Sequence, residues 1–170
     1  MSQLSSTFTL DSSLLVRDVA GSYRPAEPEE VLQAALRVLA DQLHGTEMLS
    51  SPQAVRDFLR IKLGTLEHEV FSVIHLDAQH RVIEYVEMFR GTVTQTSVYP
   101  REVVKEAMTH NTAAIVLVHN HPSGVAEPSR ADEHLTQTLK SALSLVDVRV
   151  IDHLIVAGPT ILSFAERGLI

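Results

Sequence analysis

The stretch that most constrains the fold lies between residues 112 and 158. Two runs, "TAAIVLVHN" and "VRVIDHLIVAG", are apolar at successive residues rather than at alternate ones. That is the pattern of strands covered on both faces. Between them, "PSRADEHLTQTLKSALSLV" sets Leu135, Leu139, Ala142, Leu143 and Val146 along one helical stripe. Upstream, "EVFSVIHLD" and "RVIEYVEMFRG" are strand-like runs joined by "AQH", which reads as a hairpin. "TVTQTSVY" is a further extended segment, and Pro100 starts the helix "REVVKEAMTHN". "TILSF" reads as a further short strand. The alternation predicts an α/β fold, a mixed sheet flanked by helices.

The N-terminal part divides differently. Residues 1–28 are rich in serine, contain "YRPAEPEE", and read as a flexible lead-in. Residues 29–47 form a helical extension, with Val31, Leu32, Ala35, Leu36, Leu39 and Leu43 at helical spacing and a stop at Gly45. Residues 48–170 form the main domain. Its first helix opens with Ser51 as N-cap and Pro52 in the first turn, and ends at Gly64.

Composition excludes several functions. With no cysteine among 170 residues, disulfides, thiolate metal sites and cysteine nucleophiles are all ruled out. A net charge of −7 gives no basis for broad electrostatic attraction to nucleic acid. No apolar run approaches the ~20 residues that span a bilayer, so no membrane partner is expected. The first residues show neither a basic leader nor a sustained apolar segment, and a cytoplasmic location is the default expectation. Nothing in the sequence reads out an oligomeric state.

The end of the most buried strand carries the chemistry. In an extended segment His119 and His121 project to the same side. "HPSG" then turns the chain out of the sheet. Pro128 and Ser129 open the next helix, placing Asp132 in its first turn. Two imidazoles and one carboxylate make a three-ligand set that leaves a fourth zinc position for water. A second reading fits the same residues: Ser129 and Asp132 are also an ordinary capping box, and the histidines could be solvated loop residues. Spacing alone leaves both readings open.

The wider string separates them. His119-x-His121, then Ser129, then Asp132 matches the JAMM motif of MPN-domain zinc metalloproteases at each spacing. "YPREVVKEA" before it, and "DHLIV" and "SFAERG" after it, resemble the RadC branch of that superfamily over residues 48–170. Asn120 stands where many JAMM proteins carry serine or threonine, and the RadC-like form fits better. Full-length RadC proteins also carry an N-terminal helix-hairpin-helix region. The part preceding residue 48 is too short for it, so the chain resembles the short RadC-like proteins.

The resemblance implies a JAMM/MPN-like sandwich, sharing its general architecture with cytidine deaminases. It implies one zinc ion per chain, held by His119, His121 and Asp132. It also implies a glutamate base, for which Glu69 is the candidate; Glu67 competes, and Glu84 and Glu87 fit less well. Ser129 is the candidate oxyanion donor. The implied activity is hydrolysis of an amide or isopeptide bond in a protein or peptide substrate. The rival reading is a non-catalytic accessory protein of DNA repair or of a mobile element, with a structural or vestigial zinc site. A nucleobase deaminase is excluded, because its zinc needs cysteine ligands.

Of the remaining histidines, His44, His80 and His110 fall at element ends where solvation is expected. His68 neighbours Glu69 but reads as exposed. His75 alternates within a strand, and His134 lies on a helix beside Asp132. His153, in the buried "IDHLIV", reads as making a structural hydrogen bond rather than serving as a fourth ligand.

Overall fold

The two doubly covered apolar runs form adjacent parallel strands, β5 (Ala114–Asn120) and β6 (Arg149–Ala157), connected through helix α4 (Arg130–Ser144). In this computed structural model the described residues are 14–45, 52–91 and 97–170. The hairpin β3 (Val70–Leu76) and β4 (Val82–Arg90) pairs antiparallel with itself, and β3 pairs antiparallel with β5. A last strand, β7 (Thr160–Ser163), runs antiparallel along β6. The sheet order is β4-β3-β5-β6-β7, so the sheet is mixed, as the alternation predicts. Every residue of β3 and β5 is buried, whereas edge strand β4 exposes Glu84, Glu87 and Arg90.

Helices cover both faces. On one face Val70, Ile74, Val116 and Val118 pack with Leu43 of α1 (Pro28–Leu43) and Leu59 and Leu63 of α2 (Pro52–Leu63). On the other, Phe71, Val73, Ile115 and Leu117 pack with Val103 and Ala107 of α3 (Pro100–Thr109) and with Leu139 and Leu143 of α4. Burying each large apolar side chain stabilises by about 1.5–3 kcal/mol. That exceeds the ~0.7 kcal/mol spread of ordinary helix propensities. Burial therefore fixes which segments are helix and which are strand. Gly64, after α2, lies against the Gly158 carbonyl, where an added Cβ would sit at 2.8 Å.

A small ribbon stands inside the lead-in. Strands β1 (Leu15–Arg17) and β2 (Tyr23–Pro25) pair antiparallel, and both are largely exposed. No period-2 apolar signal marks them, so the sequence did not announce this pairing. Arg24 reaches Glu30 of α1 at 2.7 Å. None of the core clusters draws a residue from 14–26. We therefore expect a chain beginning at Glu27 to melt within about 3 °C of the full chain. A drop of ten degrees or more in thermal denaturation would show that the lead-in packs on the domain.

The proposed N-cap Ser51 and most of the extended segment "TVTQTSVY" lie outside the described residues. Residues 97–99 of that segment form no strand. Among the described residues no helix is long and apolar enough to cross a membrane.

His75 departs from the plain reading of an alternating strand residue. It is fully buried, its Nδ1 2.8 Å from Thr112 Oγ1, and its ring stacks on His110 at 4.6 Å. His110, expected to be solvated, is held half-buried there and bonds Glu106 at 3.1 Å. Burial, reinforced by His110, pushes the His75 pKa down from 6.5 to about 4. The folded state thus refuses a proton that the unfolded chain accepts. This term is complete above pH 6.5 and is lost as pH falls towards 4. It is worth on the order of 3 kcal/mol. Urea unfolding should show wild type losing stability over that window and His75→Leu losing much less. Equal losses would mean that His75 titrates normally in the fold.

Candidate metal centre

β5 ends where the sheet opens towards solvent, at the carboxyl end of a central parallel strand, a usual place for ligands in α/β proteins. Odd-numbered residues of β5 face α3 and α4, so Ile115 and Leu117 enter that core and His119 follows them to its rim. His121 continues the same side, its backbone N–H held by the Val156 carbonyl at 2.8 Å. The chain then turns at Gly124, whose φ of 75° suits glycine and whose N–H returns to the His121 carbonyl at 3.0 Å. Ser129 caps α4, which brings Asp132 back over the strand end.

The three side chains meet. His119 Nε2 lies 2.9 Å from His121 Nε2 and 3.2 Å from Asp132 Oδ1. His121 Nε2 is 3.6 Å from Asp132 Oδ2. Among the described residues His119, His121 and Asp132 are the one group able to share a metal ion. Ligand atoms of a tetrahedral zinc with bonds of ~2.0–2.1 Å stand about 3.3 Å apart. The two imidazole nitrogens, at 2.9 Å, and His119 Nε2 with Asp132 Oδ1, at 3.2 Å, stand close to that value.

The donor chemistry agrees. His121 Nδ1 lies 2.8 Å from the Val125 carbonyl, which can only accept, so Nδ1 carries a proton and Nε2 is the atom that could ligate a metal. The Ser129 hydroxyl and backbone N–H both donate to Asp132 Oδ2, at 2.6 and 2.7 Å, leaving Oδ1 towards His119. Lone pairs crowded this closely call for a positive charge among them. Electrostatics show the same demand. The His121 pKa is raised, first by its bond to Asp132, with the Val125 carbonyl and the charge of Glu69 adding to it against desolvation. Burial would raise the Asp132 pKa, but the imidazoles of His119 and His121 beside it, whenever they carry a proton on this side, outweigh it and hold the carboxyl well below the usual range.

Glu69 immediately precedes β3. Phe71 pairs with His119, and extending that antiparallel register by two residues sets Glu69 opposite His121. Its charge acts on His121. Glu67 is exposed. Glu84 and Glu87 are exposed on edge strand β4, and Glu87 pairs with Lys62 at 2.9 Å. Asn120, between the two histidines, is buried. Its Oδ1 accepts from Val70 N at 2.7 Å and its Nδ2 donates to the His68 carbonyl at 3.0 Å. One side chain thus grips the backbone on both sides of Glu69.

His153 lies behind the centre rather than in it. Its Nε2 is 2.8 Å from His119 Nδ1, and its Nδ1 is 2.6 Å from Thr136 Oγ1. Burial drives its pKa well below 6.5, so it is neutral. Asp152 serves the C-terminal turn, accepting from Ser163 Oγ at 2.6 Å and Ala165 N at 2.9 Å. Sequence reasoning missed Thr136 and Val125. Thr136 falls four residues after Asp132 on the helix, a signal that was available; the Val125 carbonyl left none. His134 is exposed, as is His44.

The chain is 60% identical over 150 residues to a UPF0758 protein of Leptothrix cholodnii, covering 88% of this chain and 68% of that one. It is 56% identical over 167 residues to a UPF0758 protein of Methylibium petroleiphilum, covering 94% and 75%. With a UPF0758 protein of Nitrosomonas eutropha it shares 57% identity over 150 residues, covering 88% and 67%. A family model described as the RadC-like JAB domain matches residues 49–169, a span that holds the whole His119–His121–Asp132 cluster together with Glu69. The chain belongs to the RadC-like JAB-domain family.

Proposed function

We propose that the protein is a zinc-dependent hydrolase of the JAMM type, cleaving an amide or isopeptide bond in a protein or peptide substrate. The observation that carries this reading is the convergence of His119, His121 and Asp132 at the rim of the sheet, with Glu69 opposite them. Three protein ligands suit a catalytic zinc, because a structural one is usually closed by four. When bound, zinc supplies Lewis acidity and brings the pKa of water towards ~7.

The chain's own residues do the rest. Glu69 accepts a proton from the attacking water and returns it to the leaving nitrogen. Ser129 orients the Asp132 carboxylate through two hydrogen bonds and, by exchanging its hydroxyl bond, can donate to the developing oxyanion. A groove of about 520 Å³ runs between the Gly124–Glu127 loop and edge strand β7. An open strand edge beside the loop that holds His121 supports a substrate bound as an extended chain.

The test is an assay of zinc-loaded protein against panels of peptides and isopeptide-linked peptides. Cleavage should stop with a chelator and return with added zinc. Cleavage that is indifferent to chelator, or absent from protein shown to hold stoichiometric zinc, would overturn the reading.

A further inference from the structure

Asp132 and His119 are joined twice, once at the open mouth of the site and once behind it. The hidden connection runs through two residues that are not in the ligand set. Thr136, one turn beyond Asp132 on α4, donates its hydroxyl to the Asp132 carbonyl at 2.6 Å. With its single proton committed, its oxygen can only accept from His153 Nδ1, 2.6 Å away. With its ring proton given to Thr136, His153 presents a bare Nε2 in a fully buried place, and that atom accepts in turn. The group it faces is His119 Nδ1, at 2.8 Å. His119 therefore carries its proton on Nδ1 and turns Nε2, as a lone pair, towards His121 and Asp132.

We propose that Thr136 and His153 form a tautomer-selecting relay that positions His119 for metal binding; this rests on the metal site proposed above. Two proton arrangements are available to neighbouring neutral imidazoles. In one, each ring carries its proton on Nδ1. In the other, His153 is protonated on Nε2, donates to His119 Nδ1, and drives the His119 proton onto the atom that should bind metal. The Thr136 oxygen selects the first, because it offers His153 Nδ1 an acceptor, against the pull of Asp132 Oδ1, 3.2 Å from His119 Nε2, towards the second. Thr136 and His153 show 0% exposure and His119 6%, so water is not at hand to replace either partner. Phe164, 4.8 Å from the His153 ring, and Phe71, 6.2 Å away, fix the ring plane. Thr136 and His153 are thus positioning residues. Outer-shell partners of ligating histidines are typically worth 10–100-fold in metal affinity.

The test compares Thr136→Val, which keeps the shape and removes the acceptor, with Thr136→Ser, which keeps the hydroxyl. Zinc affinity is read by chelator competition, and imidazole tautomers by ¹⁵N NMR of metal-free protein under mildly alkaline conditions. Wild type should show both His119 and His153 protonated on Nδ1. Thr136→Val should weaken zinc by about 10–100-fold and lose that pattern, while Thr136→Ser should restore both. Equal zinc affinity in all three folded proteins overturns the relay. So does a wild-type spectrum with His119 protonated on Nε2, which needs no variant to fold. Wild type that takes up no zinc overturns the metal site instead, and the spectrum then judges the relay alone.

Discussion

Replacing His121 with alanine should strip the protein of most of its zinc, from about one ion per chain to a small fraction. His121 is the cleaner of the two histidine variants, since it is half-buried at the rim and its loss opens no cavity in the core. His119→Ala should lose metal as completely, but it also deprives the buried His153 of its partner, so its fold must be checked by circular dichroism. Asp132→Asn should weaken binding too, because an anionic ligand becomes neutral and the Oδ2 acceptor of two Ser129 bonds is altered. Each loss should exceed the 10–100-fold typical of outer-shell changes. Metal analysis after dialysis measures it. Full occupancy in the His119→Ala/His121→Ala double variant would mean that the metal sits elsewhere.

Glu69→Gln should behave in the opposite way, keeping zinc and losing turnover. Glutamine preserves the size and hydrogen-bonding capacity of the side chain while removing its ability to take a proton. Activity on an identified substrate should fall by the ~10²–10⁴-fold typical of a lost general base. Chelator competition should meanwhile match wild type, because Glu69 stands opposite His121 and lies outside the ligand group. The pair of measurements separates the two roles even before a substrate is known. If Glu69→Gln gives up zinc as readily as Asp132→Asn, then Glu69 is a ligand. If activity survives, the proton goes elsewhere, and Glu67 is the next residue to change.

What could be read beforehand was what depends on short range. The period-2 projection of His119 and His121, the turn at "HPSG" and the first-turn position of Asp132 are local consequences of strand, glycine and cap. The structure brings those three side chains together. The hairpin, the two doubly covered strands and the helix between them rest on apolar periodicity, which burial enforces. The β1–β2 ribbon carries no such signal, since its residues stay exposed whichever way they pair. The link from His153 to His119 depends on β5 and β6 lying side by side in parallel, a relation between residues 34 apart that no local pattern states. Thr136 was in view at helical spacing from Asp132, but its use follows only once His153 is known to lie beneath it. Glu69 needed the family resemblance, because a glutamate at a strand end is ordinarily a solvated one.

The amide of Asn120 restricts how the site can move. It grips the His68 carbonyl and the Val70 N–H, on either side of Glu69, while its own backbone lies between the two metal-site histidines. Glu69, the proposed base, is thereby tied to the strand that carries those histidines, and pulling the two apart means breaking both bonds. The opposite bank, the turn between His121 and Ser129, is tied to the strand end through backbone groups instead, the Gly124 N–H to the His121 carbonyl and the Val125 carbonyl to His121 Nδ1.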